Sequence, residues 1–301
     1  MVSGLWITRR GNKPPFSGNQ RSIKPACGRD AHLHGRSGKA GFAVTLLSSA
    51  VLFASPTQAQ KTCEQPIYLT FDTGHMGTAP LIAEVLKRHN VKVTFFAANE
   101  RTQVGDGSLG NHWAPWWKAR AAEGHEFASH TYDHVYWRGD LKGVEPKFRM
   151  QPSSGALEGR EFTWDAKKYC EQIGYAAERL QDFTGKATLP LFRAPGGKTS
   201  PRLLEAASVC GYAHVGWSPS GFLGDELPSE KFSNESLLKK ALRDIKTGDL
   251  LVAHLGIWSR KDPWAPAVLE PLIVGLKAKG FCFATLREHP DYKAWIASKG
   301  K

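Results

Sequence analysis

The chain has 301 residues, enough to bury a sizeable core, and its 41% hydrophobic and 23% charged residues are ordinary values for a soluble globular protein. Its formal net charge of +12 would suggest an acidic partner if it were spread over the fold, but residues 1–59 hold eight Lys and Arg against one acid, Asp30. The remainder carries only +5 and no stripe of interleaved basic and aromatic residues, so nucleic-acid binding is not expected.

At the N-terminus, Arg36 and Lys39 precede an uncharged apolar run from Ala40 to Ala54, followed by Ser55-Pro56-Thr57-Gln58-Ala59. Positive flank, apolar middle and small-residue end read as a secretory signal peptide cleaved near Ala59, which predicts a periplasmic or secreted protein. The run is short for a membrane span, so no stable span is expected; an uncleaved anchor is the alternative. Cleavage would remove Cys27 and leave Cys63, Cys170, Cys210 and Cys282. That even number suits disulfides in an oxidising compartment, and buried free thiols equally well. Cys63 precedes the first predicted strand and Cys282 lies in the last, where a closing barrel could bring them together.

Beyond residue 60 the pattern alternates. Strands are predicted at Ile67–Phe71, Val91–Ala97, Glu126–Ser129, Leu189–Phe192, Tyr212–Trp217, Leu250–Ala253 and Phe281–Thr285. Helical periodicity marks Leu81–Arg88, Ala166–Leu180, Leu203–Val209, Leu237–Ile245 and Val268–Lys277. Seven strands alternating with helices predict a parallel sheet, closed into a barrel or open and doubly wound, in one domain over residues 60–301. Two connections are unusually long, Asn99 to Pro115 and Gly139 to Thr163, and read as loops that either form a substrate surface or merely pack over the barrel. The first leads into Trp113, Trp116 and Trp117.

The chemistry-bearing residues fall at strand ends. The first strand ends Thr70-Phe71-Asp72-Thr73-Gly74-His75, a carboxylate where α/β barrels place active sites, though Asp-x-Gly is also turn chemistry. The third leads into His130-Thr131-Tyr132-Asp133-His134. On a helical turn the four-residue spacing would put both imidazoles on one face, suited to a divalent ion. The fourth ends Arg193-Ala194-Pro195-Gly196-Gly197, an arginine able to fix a carboxylate or to sit solvated in a turn. The sixth delivers His254 from Leu250-Leu251-Val252-Ala253, either a general acid or base or a satisfied core histidine.

Taken in order, these segments resemble the motifs of the polysaccharide deacetylase family, also called the NodB-homology domain or carbohydrate esterase family 4, over roughly residues 64–290. The resemblance implies a distorted (β/α)7-type barrel and metal-dependent removal of acetyl groups from an N-acetylated polysaccharide. It implies Asp72 as base, Arg193 as the residue orienting it, His254 as general acid, and His130 and His134 as metal ligands. Zn²⁺ is the expected ion, with Co²⁺ or Ni²⁺ as alternatives. It also implies Leu251 as lining of the acetyl pocket. Trp217, Trp113 and Trp116 are expected to meet the sugar, since rim tryptophans stack on sugar rings.

The pattern departs from the family at three places. Thr73 stands where the family has the aspartate of an Asp-His-His metal site, leaving Thr73, His75, Asp133 and Asp72 as candidate third ligands. Gly196 replaces an aromatic and opens one wall of the groove. After the fifth strand the chain reads Trp217-Ser218-Pro219-Ser220-Gly221-Phe222, without the carboxylate expected to tune the acid histidine; Asp225 comes later. These departures keep two alternatives in view, a cyclic imide or ureide hydrolase of the same fold and a glycan-binding pseudoenzyme.

Overall fold

The computed structural model describes residues 63–299; the expected leader lies outside them. The chain runs β1 (Pro66–Asp72), α1 (Ala79–Arg88), β2 (Thr94–Ala97), α2 (Ala114–Ala122) and β3 (Glu126–Ser129). There follow β4 (Val135–Asp140), β5 (Lys147–Pro152), β6 (Phe162–Asp165), α3 (Ala166–Thr184), β7 (Leu191–Phe192), α4 (Pro201–Val209) and β8 (Ala213–His214). It ends with α5 (Asn234–Asp244), β9 (Leu250–His254), α6 (Leu269–Ala278), β10 (Cys282–Phe283) and α7 (Pro290–Lys299).

β1 is the hub. It pairs in parallel with β2 on one side and β9 on the other, and its first residues also pair with β10. β2, β3, β7 and β8 continue the parallel sheet. Between β8 and β9 the chain from Ser218 to Leu223 carries the bonds that draw the two edges together. Ser218 N donates to Leu250 O at 3.0 Å, and Val252 N donates to Gly221 O at 2.9 Å. The result is a distorted α/β barrel, as the family resemblance implied.

Strand pleating decides which residues face the site. Side chains alternate across a strand, so Ile67, Leu69 and Phe71 of β1 turn outward with Leu251 and Ala253 of β9. They bury against Ile82 and Leu86 of α1, Trp117 of α2, Leu237 of α5 and Leu272 of α6. Each such buried side chain is worth about 1.5–3 kcal/mol. The opposite set, Tyr68, Thr70 and Asp72 with Leu250, Val252 and His254, faces inward. Register places Asp72 directly beside His254. Tyr68, Phe96, Ala128 and Leu191 plug the lower barrel.

Three elements depart from the sequence reading. The loop expected between Gly139 and Thr163 is largely an antiparallel sheet, β4-β5-β6, with a register shift between Trp137 and Gly139. Its inner residues Val135, Phe148, Met150 and Trp164 cover Tyr169 and Ile173 of α3. Helix α2 also lay within a region read without periodicity, because Trp116 and Trp117 are adjacent and blur the apolar stripe. The unpredicted α7 packs Ile296 and Trp295 onto the barrel foot.

The cysteines are paired, Cys63 with Cys282 and Cys170 with Cys210. The first bond ties the start of the described chain to β10; the second ties α3 to the residue capping α4.

Candidate active site

Asp72 ends β1 on the inner face, 3% exposed, and Arg193, fully buried just past β7, donates from Nη1 to its Oδ1 at 2.6 Å. The guanidinium is itself fixed: Nε donates to Val215 O and Nη2 to Gly216 O, and it lies 4.1 Å from the Phe96 ring centre. Burial pushes the Asp72 carboxyl upward, but Arg193, then His130 and His254, outweigh it and hold the group below its ordinary value. Asp72 is therefore an aligned carboxylate.

The His130–His134 segment is not helical. Thr131 and His134 have φ of 60° and 47°, a left-handed conformation that a β-branched residue such as Thr131 rarely adopts. Local bonds hold it: Thr131 N donates to Ser129 Oγ, and Thr131 Oγ1 accepts from Val135 N at 2.8 Å. This strained turn, rather than helical periodicity, brings the two imidazoles together, with ring centres 4.8 Å apart. His130 Nδ1 lies 2.9 Å from Arg193 O, an acceptor only, so that nitrogen carries the proton and Nε2 keeps a free lone pair. His134 Nδ1 is likewise occupied, by Ser153 Oγ at 2.5 Å. Burial pushes His130 down to about 4, so it is a neutral imidazole at physiological pH.

His254 ends β9 opposite Asp72. The carboxylate absent after the fifth predicted strand is supplied by Asp225: its Oδ1 lies 3.1 Å from His254 Nδ1, and its Oδ2 accepts the His254 backbone N–H at 2.6 Å. Burial alone would depress the imidazole, but Asp225 reverses this and the group rises to about 10. His254 is thus cationic at neutral pH, with a proton to give.

These groups surround one cavity of about 190 Å³, lined by Asp72, Thr73, His130, His134, Trp217 and His254, with Glu100, Tyr136, Gly196, Glu226 and Val252 among the other walls. Three expected substrate residues are corrected here. Leu251 points outward into the helix layer, since its parity on β9 is the wrong one, and Val252 faces the cavity instead. Trp113 and Trp116 do not reach the site; they pack with Phe95 and Trp117 beneath α2. Trp217 does line it. The wall that Gly196 should open is closed by Tyr136 of β4: a Cβ built on Gly196 would lie 3.0 Å from the Tyr136 ring, and Gly196 holds φ at 64°.

A second cavity, about 390 Å³, lies on the other side of His254, bounded by His75, Asp225, Arg260 and Trp264. Trp258, 55% exposed, stacks edge-on against His75 at this rim.

The sequence candidates for a third metal ligand separate. His75 turns to the second cavity, its Nδ1 accepting from Gly77 N. Asp133 is held by Gln172, whose Nε2 donates to Oδ2 at 2.9 Å and whose Oε1 accepts from the Asp133 backbone. Thr73 does line the cavity, but its hydroxyl accepts from Ala98 N at 3.0 Å. Asp72 Oδ2 stands 3.6 Å from His130 Nε2 while Oδ1 is engaged by Arg193. Among the described residues no three His, Cys, Asp or Glu side chains already converge as an ion-holding cluster. The donor chemistry nevertheless suits a divalent ion, with two imidazoles oriented through Nδ1 and carboxylates on the same cavity wall.

Sequence reasoning missed Glu100, Tyr136, Glu226 and the reach of Asp225. For Glu100 a signal existed: residues 94, 96, 98 and 100 continue the inward parity of β2.

A family model described as Polysaccharide deacetylase matches residues 59–215, just over half of the chain. A peptidoglycan-N-acetylglucosamine deacetylase of Bacillus cereus is 27% identical over 76% of this chain and 90% of its own. A chitooligosaccharide deacetylase of Azorhizobium caulinodans is 25% identical over 74% of this chain and 93% of its own. Among solved structures, a family 4 acetyl xylan esterase of Clostridium thermocellum, determined with a cobalt ion, has a TM-score of 0.59 at 20% identity, covering 79% of this chain and 97% of that one.

Proposed function

Because the chain belongs to the polysaccharide deacetylase family, we propose that it hydrolyses the acetamide of an N-acetylated glycan, releasing acetate and an amino sugar. What supports this most directly is the inward convergence of Asp72, backed by the buried Arg193, and His254 on the cavity that also holds the His130–His134 pair. A divalent ion held by His130 and His134 would polarise the acetyl carbonyl when bound. Asp72, kept ionised by Arg193, takes the proton from the attacking water. His254 gives its proton to the departing nitrogen, and Asp225 stabilises the charged imidazole until then. Val252 and Trp217 shape the pocket for the acetyl methyl and its sugar.

Two disulfides and the signal-like leader support action outside the cytoplasm, in the periplasm or secreted medium. Glycans rich in N-acetylglucosamine, as named for the bacterial relatives, are the substrate class favoured. Acetate release from N-acetylglucosamine oligomers, measured with a chelator and then with added Zn²⁺ or Co²⁺, tests the reading. Metal-restored turnover is the expected result. Binding of the oligomers without any turnover would instead fit the pseudoenzyme.

A further inference from the structure

A carboxylate is missing at position 73, yet the cavity wall carries one that no hydrogen bond explains. Glu100 follows β2 on its inward parity and lines the cavity with Thr73, His130 and His134. Its backbone is pinned, since Glu100 N donates to Ser108 Oγ at 2.9 Å and Glu100 O accepts from Ser108 N at 2.9 Å. Its Oε2 is buried without a hydrogen-bond partner. A buried, unpaired carboxylate oxygen is costly unless something cationic meets it. The cationic side chains of the site, Arg193 and His254, are already bound to Asp72 and Asp225.

Building on the deacetylase reading, we infer that Glu100 is the third protein ligand of the metal, standing in for the aspartate that Thr73 replaces. The ion is then held by two imidazoles and one carboxylate, the donor set of many catalytic zinc sites. The carboxylate comes from the end of β2 instead of the end of β1. Thr73 keeps a structural task, accepting the Ala98 N–H, and Ala98 lies two residues before Glu100. Since the three groups do not yet converge, binding draws the flexible Glu100 side chain inward while its anchored backbone stays in place.

The test uses the mature full chain, stripped of metal and titrated with Zn²⁺ by calorimetry, with bound metal counted by elemental analysis after dialysis. Wild type should take up one ion. Glu100→Gln should weaken Zn²⁺ binding on the order of 100-fold, at least the cost of losing a residue that merely orients a ligand. Thr73→Asp placed in the Glu100→Gln background should recover the affinity to within about tenfold of wild type, because it restores a carboxylate on the neighbouring strand. The metal-free Glu100→Gln protein should melt no lower than metal-free wild type, since the substitution removes no hydrogen bond; this separates ligand loss from misfolding. Wild-type affinity in Glu100→Gln, or loss in Glu226→Gln instead, overturns the inference and leaves the deacetylase reading standing. No Zn²⁺ uptake by wild type overturns both.

Discussion

Asp225 holds His254 from two directions, through the backbone N–H at 2.6 Å and the ring Nδ1 at 3.1 Å. One carboxylate therefore sets both where β9 ends and how the imidazole is charged. His254 rises to about 10, so its contribution to stability is fully present below the ordinary histidine value of about 6.5 and is lost as pH climbs toward 10. The rate of acetate release should fall along the same alkaline limb. In Asp225→Asn that limb should move down by about 1–3 pH units, the usual effect of one adjacent charge. A profile recorded between neutral and strongly alkaline pH checks this, and an unmoved limb would mean another group donates the proton.

The Arg193–Asp72 pair predicts a stability defect with its own pH signature. Arg193→Met leaves Asp72 buried and unpaired, which should cost about 3–5 kcal/mol in urea unfolding near neutral pH. Because Arg193 lowers the Asp72 carboxyl, the stabilisation is present above the ordinary carboxylate range and fades as pH falls through it. The gap between variant and wild type should therefore narrow at about pH 4.

The two faces of β9 predict opposite phenotypes for neighbouring residues. Leu251→Ala should destabilise by about 2–5 kcal/mol, the cost of a cavity among the buried side chains under the helices. Its kcat/KM, measured on folded protein, should stay near wild type. Val252→Phe should instead lower kcat/KM by at least about tenfold, or 1.4 kcal/mol, by filling the cavity. Steady-state kinetics beside unfolding curves tell the two apart.

Cys63 and Cys282 close a loop of 219 residues, so Cys63→Ser should lower stability by about 2–5 kcal/mol. Wild type treated with a reductant, which also opens Cys170–Cys210, should lose at least as much, seen as a lower thermal midpoint; an unchanged midpoint in Cys63→Ser would mean β1 and β10 hold without the bond.

The positions of Asp72, His130, Arg193 and His254 were legible because each ends a strand with a strong apolar run, and barrel geometry gathers strand ends. The histidine turn was read at the right residues for the wrong reason: its geometry comes from positive φ at Thr131 and His134, which residue spacing does not encode. Leu251 was misassigned because an unbroken apolar strand hides which parity faces inward; pairing with Asp72 fixes it. Tyr136 was invisible for a different reason. It reaches the Gly196 wall from β4, part of an antiparallel sheet whose register depends on strands far apart in sequence. Asp225 sits in an irregular stretch, where no periodicity announces which way a side chain turns.

The pairing of β1 with β9 also has a meaning for how the protein is made. Asp72 is synthesised early and His254 late, yet register sets them side by side. A growing chain carries Asp72 long before the strand that brings His254 exists. The site is thus completed only near the end of synthesis: a product cut short before β9 keeps the His130–His134 segment and loses His254 together with the strand that pairs with β1.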